Sequence, residues 1–370
     1  MAHSASTTRY PRWAPPSQSD QGNPARAVFL CRTELEGALA EEISHTLNPG
    51  KPPSITGQGL VIARDLPPSP WPDLIFEQQR IPHAGWIPHE QLKPISDDTF
   101  STLFPPHRPS NPWTLHVLCP SGIQDQQWSR SAKGIGSALL RLAKSMVPEA
   151  GPGSYHQPEG DLPPGTRILQ VLRVPEGAWF GWGDPSVGVR PYPGGIIRLK
   201  FDSRAPSRSY LKLEEAFQRM GREPTTGQWV VDLGAAPGGW THACLKRGAR
   251  VQAVDHGPMK IVSELRQNLR IVKSNGITYT PEAHQLPVDW LVADMLIPPG
   301  TALGLIKHWL GNHRCRHAVI NIKLPQQNPY QAVRPIASWL QGQARGYQWS
   351  MKNLHHDRRE ITLMAIETSG

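Results

Sequence analysis

The sequence predicts an α/β protein in which a doubly wound parallel sheet forms the C-terminal part and a smaller α+β region precedes it. After residue 198, short apolar segments alternate with segments of helical spacing, which is the pattern of βαβ units in a parallel sheet. Before that point, brief strands stand between frequent prolines, which favours a mostly antiparallel sheet. The chain has 33 Gly and 39 Pro among 370 residues, and this content excludes a long helical bundle or coiled coil.

Charge and cysteine spacing narrow the classes of function. The chain carries 39 Lys and Arg against 30 Asp and Glu, a net charge of +9, which favours a polyanionic partner such as nucleic acid. No apolar stretch is long enough for a membrane span, and residues 1–26 lack the apolar core of a secretory signal, so we expect a cytoplasmic protein without membrane contact. The four cysteines are far apart, which predicts reduced thiols and neither a disulfide framework nor a metal site.

The N-terminal half is predicted in two parts. Residues 1–25 are rich in Ser, Thr, Gln and Pro and poor in aliphatic side chains, so we expect a disordered tail. Residues 26–190 are expected to form the α+β region. Its basic and aromatic residues are interleaved, which suits RNA binding, although each tryptophan alone is better explained as a core residue. The predicted strands cover 27–31, 60–63, 74–78, 113–119, 167–174 and 178–183, and the predicted helices cover 35–43 and 134–146.

The C-terminal part, residues 198–370, has the alternation of a doubly wound sheet. A helix is predicted over 207–220, ahead of the first strand. Ligands bind open α/β sheets at the carboxyl ends of the strands, so the residues that follow each strand are the candidates for a site. The predicted strands cover 229–233, 250–254, 290–293, 318–322 and 361–366.

A glycine-rich turn follows the first of these strands. The segment reads Asp232-Leu233-Gly234-Ala235-Ala236-Pro237-Gly238-Gly239-Trp240-Thr241, in which an acidic residue ends a buried strand and a helix follows the turn. Glycines allow a ligand to approach the backbone closely. The turn lacks the Gly-x-Gly-x-x-Gly spacing of a dinucleotide site, so an uncharged or zwitterionic ligand fits it better than a pyrophosphate does.

Two further acidic residues end neighbouring strands. Asp255 follows the second strand, where a carboxylate can accept both hydroxyls of a ribose, and Asp294 follows the third. A single Asp in such a place is most often a helix cap or a turn residue. Three of them, together with the glycine-rich turn after Asp232, favour a nucleoside-binding crevice.

Two lysines and a glutamate have positions that are unusual for surface charges. Lys323 ends an apolar strand beside the crevice, and Lys212 lies on the helix that precedes the glycine-rich turn. Glu360 opens the last strand after a charged turn. Taken alone, Lys212 is equally well explained as a solvated helix residue, and Glu360 is more simply a surface residue.

Five segments together resemble a known family, the FtsJ-type RNA 2′-O-ribose methyltransferases. They are 207–217 (SRSYLKLEEAF), 232–241 (DLGAAPGGWT), 254–259 (VDHGPM), 321–325 (NIKLP) and 356–360 (HDRRE). Weaker similarity in the N-terminal half extends the resemblance over about residues 27–370. The resemblance implies a Rossmann-like methyltransferase domain over 198–370 and a THUMP-like RNA-binding region over 26–190.

The resemblance also implies S-adenosyl-L-methionine as the cofactor and a catalytic tetrad of Lys212, Asp294, Lys323 and Glu360. One position departs from the family's pattern, because Asn275 precedes a glycine where the family has an acidic residue that contacts adenine. Asn keeps an acceptor and adds a donor, so Asn275 is the candidate for that contact. The other implied cofactor contacts are Ser209, Ala236, Pro237, Gly238, Gly239, Asp255 and Asp294.

The implied substrate is a cytidine in the peptidyl-transferase loop of 23S rRNA, unassembled or partly assembled, and the protein is expected to be a monomer. A ribose 2′-hydroxyl is a poor nucleophile near neutral pH and needs a base or a strong local positive field. We therefore hypothesise that Lys323 takes the hydroxyl proton, while Lys212, Asp294 and Glu360 orient it. Three alternatives stay open: another RNA nucleotide as substrate, an RNA-binding ribosome assembly factor without turnover, and a small-molecule methyltransferase.

Overall fold

The computed structural model of the chain describes residues 26–92, 97–103, 113–120, 132–139 and 165–368, and the single residues 130, 141 and 162. It divides into two compact units, one that ends at Ile196 and one that begins at Ile197. The tail predicted over 1–25 and the end of the helix predicted over 134–146 lie outside the described residues. Within those residues, no helix is long and apolar enough to cross a membrane. All four cysteines are free thiols, as predicted.

The described residues of the N-terminal unit form two four-stranded sheets. Its strands are β1 (Ala27–Cys31), β2 (Ser54–Gly57), β3 (Leu60–Ala63), β4 (Glu77–Ile81), β5 (Gly85–Pro88), β6 (Trp113–Leu118), β7 (Arg167–Val174) and β8 (Gly177–Gly183). Its helices are α1 (Glu36–Thr46), α2 (Asp97–Leu103) and α3 (residues 132–139). The first sheet has the order β2-β3-β1-β4 and is antiparallel throughout, whereas the second, β5-β8-β7-β6, has one parallel pair, β6 with β7. The unit is therefore α+β as predicted, with its strands divided between two sheets.

The strand predicted over 74–78 is wrong in its limits, because β4 begins only at Glu77. All five residues of β4 are buried, although four of them are polar. Arg80 Nε and Nη2 each donate to the Glu77 carboxylate at 2.5 Å, and Gln79 Nε2 donates to two backbone carbonyls. A pattern of apolar residues cannot reveal a strand whose polar side chains are paired inside the protein.

A seven-stranded sheet forms the C-terminal unit. Its strands are β9 (Trp229–Leu233), β10 (Arg250–Val254), β11 (Leu269–Val272), β12 (Val288–Ala293), β13 (Cys315–Lys323), β14 (Tyr347–Lys352) and β15 (Glu360–Glu367). Its helices are α4 (Tyr210–Met220), α5 (Gly239–Leu245), α6 (Pro299–Trp309) and α7 (Pro329–Gln343). The order is β11-β10-β9-β12-β13-β15-β14, with the first five strands parallel and β15 antiparallel to both of its neighbours. The predicted doubly wound sheet is thus confirmed.

The strand order brings several segments to one edge of this sheet. Because β9, β10, β12 and β13 are parallel, the residues that follow them share the carboxyl edge. The antiparallel strand β15 joins this edge through its first residue, Glu360, which pairs with Lys323 at the end of β13. Below the edge, Leu213 and Phe217 of α4 pack in one core with Trp240 and Trp290. The core therefore fixes the helix that carries Lys212 against the sheet.

Candidate active site

The glycine-rich turn between β9 and α5 runs beside the start of α4. Gly238 has a φ of 115°, a conformation that residues with a side chain rarely adopt. A Cβ at Gly239 would come within 2.4 Å of the Ser207 hydroxyl oxygen and 2.7 Å of the Ser209 hydroxyl oxygen. Trp240 Nε1 also donates to the Ser209 carbonyl at 3.0 Å. The structure thus brings Ser209 next to the predicted cofactor-binding turn.

Asp255 lies directly after β10 and is tied to the same turn. Its Oδ2 accepts from the Ala236 amide at 3.0 Å, and its Oδ1 accepts from the Gly257 amide at 2.7 Å. The peptide bond between Ala236 and Pro237 is cis. Each carboxylate oxygen has more than one lone pair, so Asp255 keeps acceptor capacity for two hydroxyl groups.

Asn275 stands at the rim of the turn. Its side chain is exposed, and its Oδ1 accepts from the Ile277 amide at 2.9 Å. The next residue, Gly276, packs closely, because a Cβ there would lie 3.0 Å from Met295 Sδ and 3.3 Å from the Gly234 nitrogen. The Oδ1 atom has one more lone pair, and the amide nitrogen supplies two donors, so Asn275 can still bind a ring that offers both donors and acceptors.

Asp232 does not line the crevice that the sequence expects three acidic residues to form. It is fully buried in β9, where its Oδ2 accepts from the Thr241 hydroxyl at 2.5 Å. The pKa of Asp232 is raised to about 7, chiefly by burial. The charges of Asp294 and Asp255 also act to raise it, whereas the hydrogen bond from Thr241 acts to lower it. The prediction that three acidic residues line the crevice is therefore wrong for Asp232. Asp255 and Asp294 are both partly exposed, so they remain accessible to a ligand.

Four charged residues from separate segments meet at the carboxyl edge of the sheet. Lys212 Nζ lies 3.3 Å from Asp294 Oδ1 and 3.6 Å from Glu360 Oε2. Lys323 Nζ donates to Glu360 Oε1 at 2.6 Å. The side chain of Lys323 is 41% exposed, against 14% for Lys212. The structure therefore brings all four residues of the predicted tetrad together, with Lys323 the more accessible lysine.

Two further groups that sequence reasoning missed complete these contacts. Asn321 Nδ2 donates to Asp294 Oδ1 at 2.7 Å, and the Arg358 amide donates to Glu360 Oε2 at 2.7 Å. Asn321 has a signal in the sequence, because it precedes Lys323 by two residues on β13 and alternate residues of a strand share a face. The backbone amide of Arg358 has no such signal.

The charges of the cluster support one another. Burial acts to raise the pKa of Glu360. Hydrogen bonds from Lys323 and from the Arg358 amide, together with the charge of Lys212, outweigh burial and lower the pKa below its ordinary value. Glu360 is therefore a carboxylate at neutral pH, in contact with both Lys212 Nζ and Lys323 Nζ. Such a cluster can position a hydroxyl group and exchange a proton with it. Among the residues that the structure describes, no three His, Cys, Asp or Glu side chains are grouped to hold a metal ion.

Comparisons with known proteins show which family and which relatives the chain resembles. Residues 205–328 match the FtsJ-like methyltransferase family. Relatives named ribosomal RNA large subunit methyltransferase M are 36% identical in Azoarcus sp. over 54% of this chain, and 39% and 43% identical in Pseudomonas syringae pathovars syringae and tomato over 55%. The matches cover 56%, 58% and 58% of those relatives, so the chain spans little more than half of their length.

The family match confirms the resemblance seen in the sequence. It also bears out S-adenosyl-L-methionine as the predicted cofactor. The matched residues begin just before α4 and end just before α7, so they include the glycine-rich turn, Asp255, Asp294 and Lys323. Over residues 205–328, the C-terminal part of the chain is therefore similar to the FtsJ-like methyltransferase domain.

Proposed function

We propose that the chain is an S-adenosyl-L-methionine-dependent 2′-O-ribose methyltransferase of large-subunit ribosomal RNA. The observation that carries the proposal is the contact of Lys212 and Lys323 with one carboxylate, Glu360, at the edge where the cofactor turn opens. A surface that only bound RNA would need exposed positive charge. Here the side chains of Lys212 and Glu360 are only 14% and 8% exposed. Burial of charged groups costs free energy, and clusters of this kind are typical of binding and catalytic sites.

The residues around the turn fit the cofactor. Gly257 keeps the approach to Asp255 open, because a Cβ there would lie 3.2 Å from Asp255 Oδ1. Asp255 would hold the ribose hydroxyls and Asn275 the adenine, while Ser209 and the turn residues 236–239 would enclose the rest of the molecule. When bound, the cofactor supplies a methyl group on a sulfonium centre, whose sulfur retains the electron pair of the broken bond.

Lys323 is the proposed base. Its exposure allows an incoming ribose to reach Nζ. In its neutral amine form, Nζ would take the 2′-hydroxyl proton on its lone pair as the new bond from oxygen to carbon forms. Glu360, at 2.6 Å, would stabilise the ammonium charge that results. Lys212 lies between Asp294 and Glu360 and so holds both carboxylates in place, and Asn321 fixes Asp294 from a second direction. The main contribution of the cluster is alignment of the hydroxyl with the methyl group.

The proposed target nucleotide is a cytidine in the peptidyl-transferase loop of 23S rRNA. The names of the relatives support large-subunit rRNA as the substrate, and the net charge of +9 suits a polyanion. The N-terminal unit, as a THUMP-like RNA-binding region, would hold the RNA. The protein would act in the cytoplasm as a monomer, on rRNA that is unassembled or partly assembled.

The proposal is tested by methyl transfer from tritiated S-adenosyl-L-methionine to deproteinised 23S rRNA. One rRNA comes from cells that lack the gene for this protein, and the control comes from the parent cells, whose target is already methylated. We expect label only in the first rRNA, and mass spectrometry should locate it as 2′-O-methylcytidine in the peptidyl-transferase loop.

The other outcomes separate the alternatives. Ribose label on a different nucleotide would retain the reaction and change the substrate, and label on a base would refute ribose methylation. If no RNA is labelled although calorimetry shows that the cofactor binds, the enzymatic proposal fails and an RNA-binding assembly factor takes its place.

A further inference from the structure

The position of Glu360 depends on the turn that precedes it. Residues 353–359 connect β14 to β15, and Glu360 is the first residue of β15. Within this turn, the Arg358 amide holds Glu360 Oε2, and Asn353 Nδ2 donates to the Glu360 carbonyl at 2.7 Å. A displacement of the turn would therefore move the carboxylate that Lys212 and Lys323 share.

A buried carboxylate on α4 holds this turn. Glu215 has no exposed surface and accepts from the His355 amide at 3.0 Å, the His356 amide at 3.1 Å and His356 Nδ1 at 2.9 Å. Arg219, one helical turn later, donates to Glu215 Oε1 through Nε at 3.0 Å and Nη2 at 2.9 Å. Lys212 lies three residues before Glu215 on the same helix. The helix that carries Lys212 is thus also hydrogen-bonded to the turn that precedes Glu360.

Hydrogen bonds within the turn brace it internally. Asp357 is fully buried, and its Oδ2 accepts from the Leu354 amide at 3.0 Å and from the Thr362 hydroxyl at 3.0 Å. These bonds close the turn on itself and join it to β15. Hydrogen bonds to Glu215 link this turn to α4.

We infer that Glu215 is a positioning residue, which sets the distance between Lys212 and Glu360 by tying α4 to the turn 353–359. This inference rests on the proposed function. Burial acts to raise the pKa of Glu215, but donation from His356 and the charge of Arg219 lower it to about 2, so it accepts these bonds as a carboxylate near neutral pH.

Replacement of Glu215 by Gln keeps the shape and removes one of the two acceptor oxygens that hold the turn. An amide nitrogen cannot accept from an N–H group. The new nitrogen would therefore oppose either the donors of His355 and Arg219 or those of His356 with a donor of its own. Lys212 Nζ and Glu360 Oε2 are already 3.6 Å apart, and a shift of about 1 Å in the turn would break their contact. Misplacement on that scale lowers turnover by about 100-fold.

The experiment compares Glu215→Gln with Glu214→Gln in the full-length protein. Glu214 is the adjacent residue on α4 and pairs with Arg247 at 2.7 Å, away from the turn, which makes it a matched control. For both variants we would measure kcat and KM for RNA methylation, the Kd of the cofactor, and hydrogen exchange at the His355 and His356 amides. For Glu215→Gln, we expect kcat to fall by about 10- to 100-fold with KM and Kd changed less than about twofold. We also expect faster exchange at whichever of the two amides faces the new side-chain nitrogen.

Several results would overturn the inference. A kcat for Glu215→Gln within twofold of the native value would do so, as would an equal loss in Glu214→Gln, since that would indicate general damage to α4. If Glu215→Gln does not fold, His356→Ala removes one donor and leaves Glu215 paired with Arg219. It should still lower kcat several-fold at unchanged KM, and an unchanged kcat would refute the positioning role. If the native protein methylates no RNA, the proposed function fails, whereas the exchange of the two amides still decides whether Glu215 holds the turn.

Discussion

Replacing Asp232 with Asn removes a buried carboxyl group whose pKa is raised by its surroundings. The pKa is about 7 in the folded protein, against 3.8 for an ordinary Asp. A carboxyl group of this kind supports the folded state fully below its unfolded pKa, and that support is lost as the pH rises through the folded pKa. From these two values, the loss between pH 5 and pH 8 is about 2.5 kcal/mol. The free energy of unfolding of Asp232→Asn should therefore fall by about 2.5 kcal/mol less than that of the native protein over this interval.

The measurement is hydrogen exchange at peptides of β9 and α5, at pH 5 and pH 8, over a series of urea concentrations and without cofactor. These peptides report the opening of the C-terminal unit alone. Burial of an amide in place of the carboxyl group costs about 1–3 kcal/mol, but this cost is the same at both pH values and cancels in the comparison. Asp357, whose pKa burial also raises to about 7, is present in both proteins, so its contribution cancels too.

Equal pH dependence in the two proteins would refute the reasoning, because it would show that the Asp232 carboxyl group gains no protons on folding near neutral pH. A steeper loss of stability in Asp232→Asn would show that the sign is wrong. That result would mean that the Thr241 hydrogen bond outweighs burial and holds the carboxylate in its charged form.

Two further substitutions test the site. Lys323→Ala should lower kcat for methyl transfer by about 100- to 10,000-fold while cofactor affinity changes less than about twofold, because it removes the base and leaves the turn intact. The control is Lys307→Ala, which replaces an exposed lysine in the last turn of α6. Retained turnover in Lys323→Ala would exclude the base role. Gly238→Ala should weaken cofactor binding about tenfold or more in calorimetry, because φ is 115° and a Cβ would lie 2.7 Å from Ile261 Cδ1. Gly300→Ala is its control, since a Cβ there meets nothing within 4 Å, and equal affinity in both variants would contradict the assignment of the turn.

The sequence predicts those parts of the site that depend on strand ends. Asp294 follows β12, Lys323 ends β13 and Glu360 opens β15, so each can be located once the strands are recognised. Parallel strands then bring Asp294 and Lys323 to one edge without further information. Lys212 differs, because its place on the helix before the glycine-rich turn is explained equally well by a solvated lysine, and the resemblance to a family is what favours a role in the site.

The strand pattern does not show whether a polar residue is buried, because that depends on its side-chain partners. Asp232 ends an apolar run just as the other acids do, but Thr241, nine residues later in α5, binds its carboxyl group inside the protein. The strand β4 is similar, because Glu77 and Arg80 neutralise each other within it. In each case the sequence shows the polarity of a residue, whereas the structure shows whether that polarity is satisfied internally.

Glu214 and Glu215 show why the remainder cannot be read locally. They are identical residues at adjacent positions of α4, yet the side chain of Glu214 is 20% exposed and pairs with Arg247, whereas that of Glu215 is fully buried. Adjacent helix positions are rotated by about 100°, so only one of the two can face the turn 353–359. Which one does so depends on where β15 enters the sheet, and the bonded residues are 140 positions apart in the chain. The role of Glu215 is therefore fixed by the antiparallel insertion of β15 beside β13, a property of the topology that no helical pattern contains.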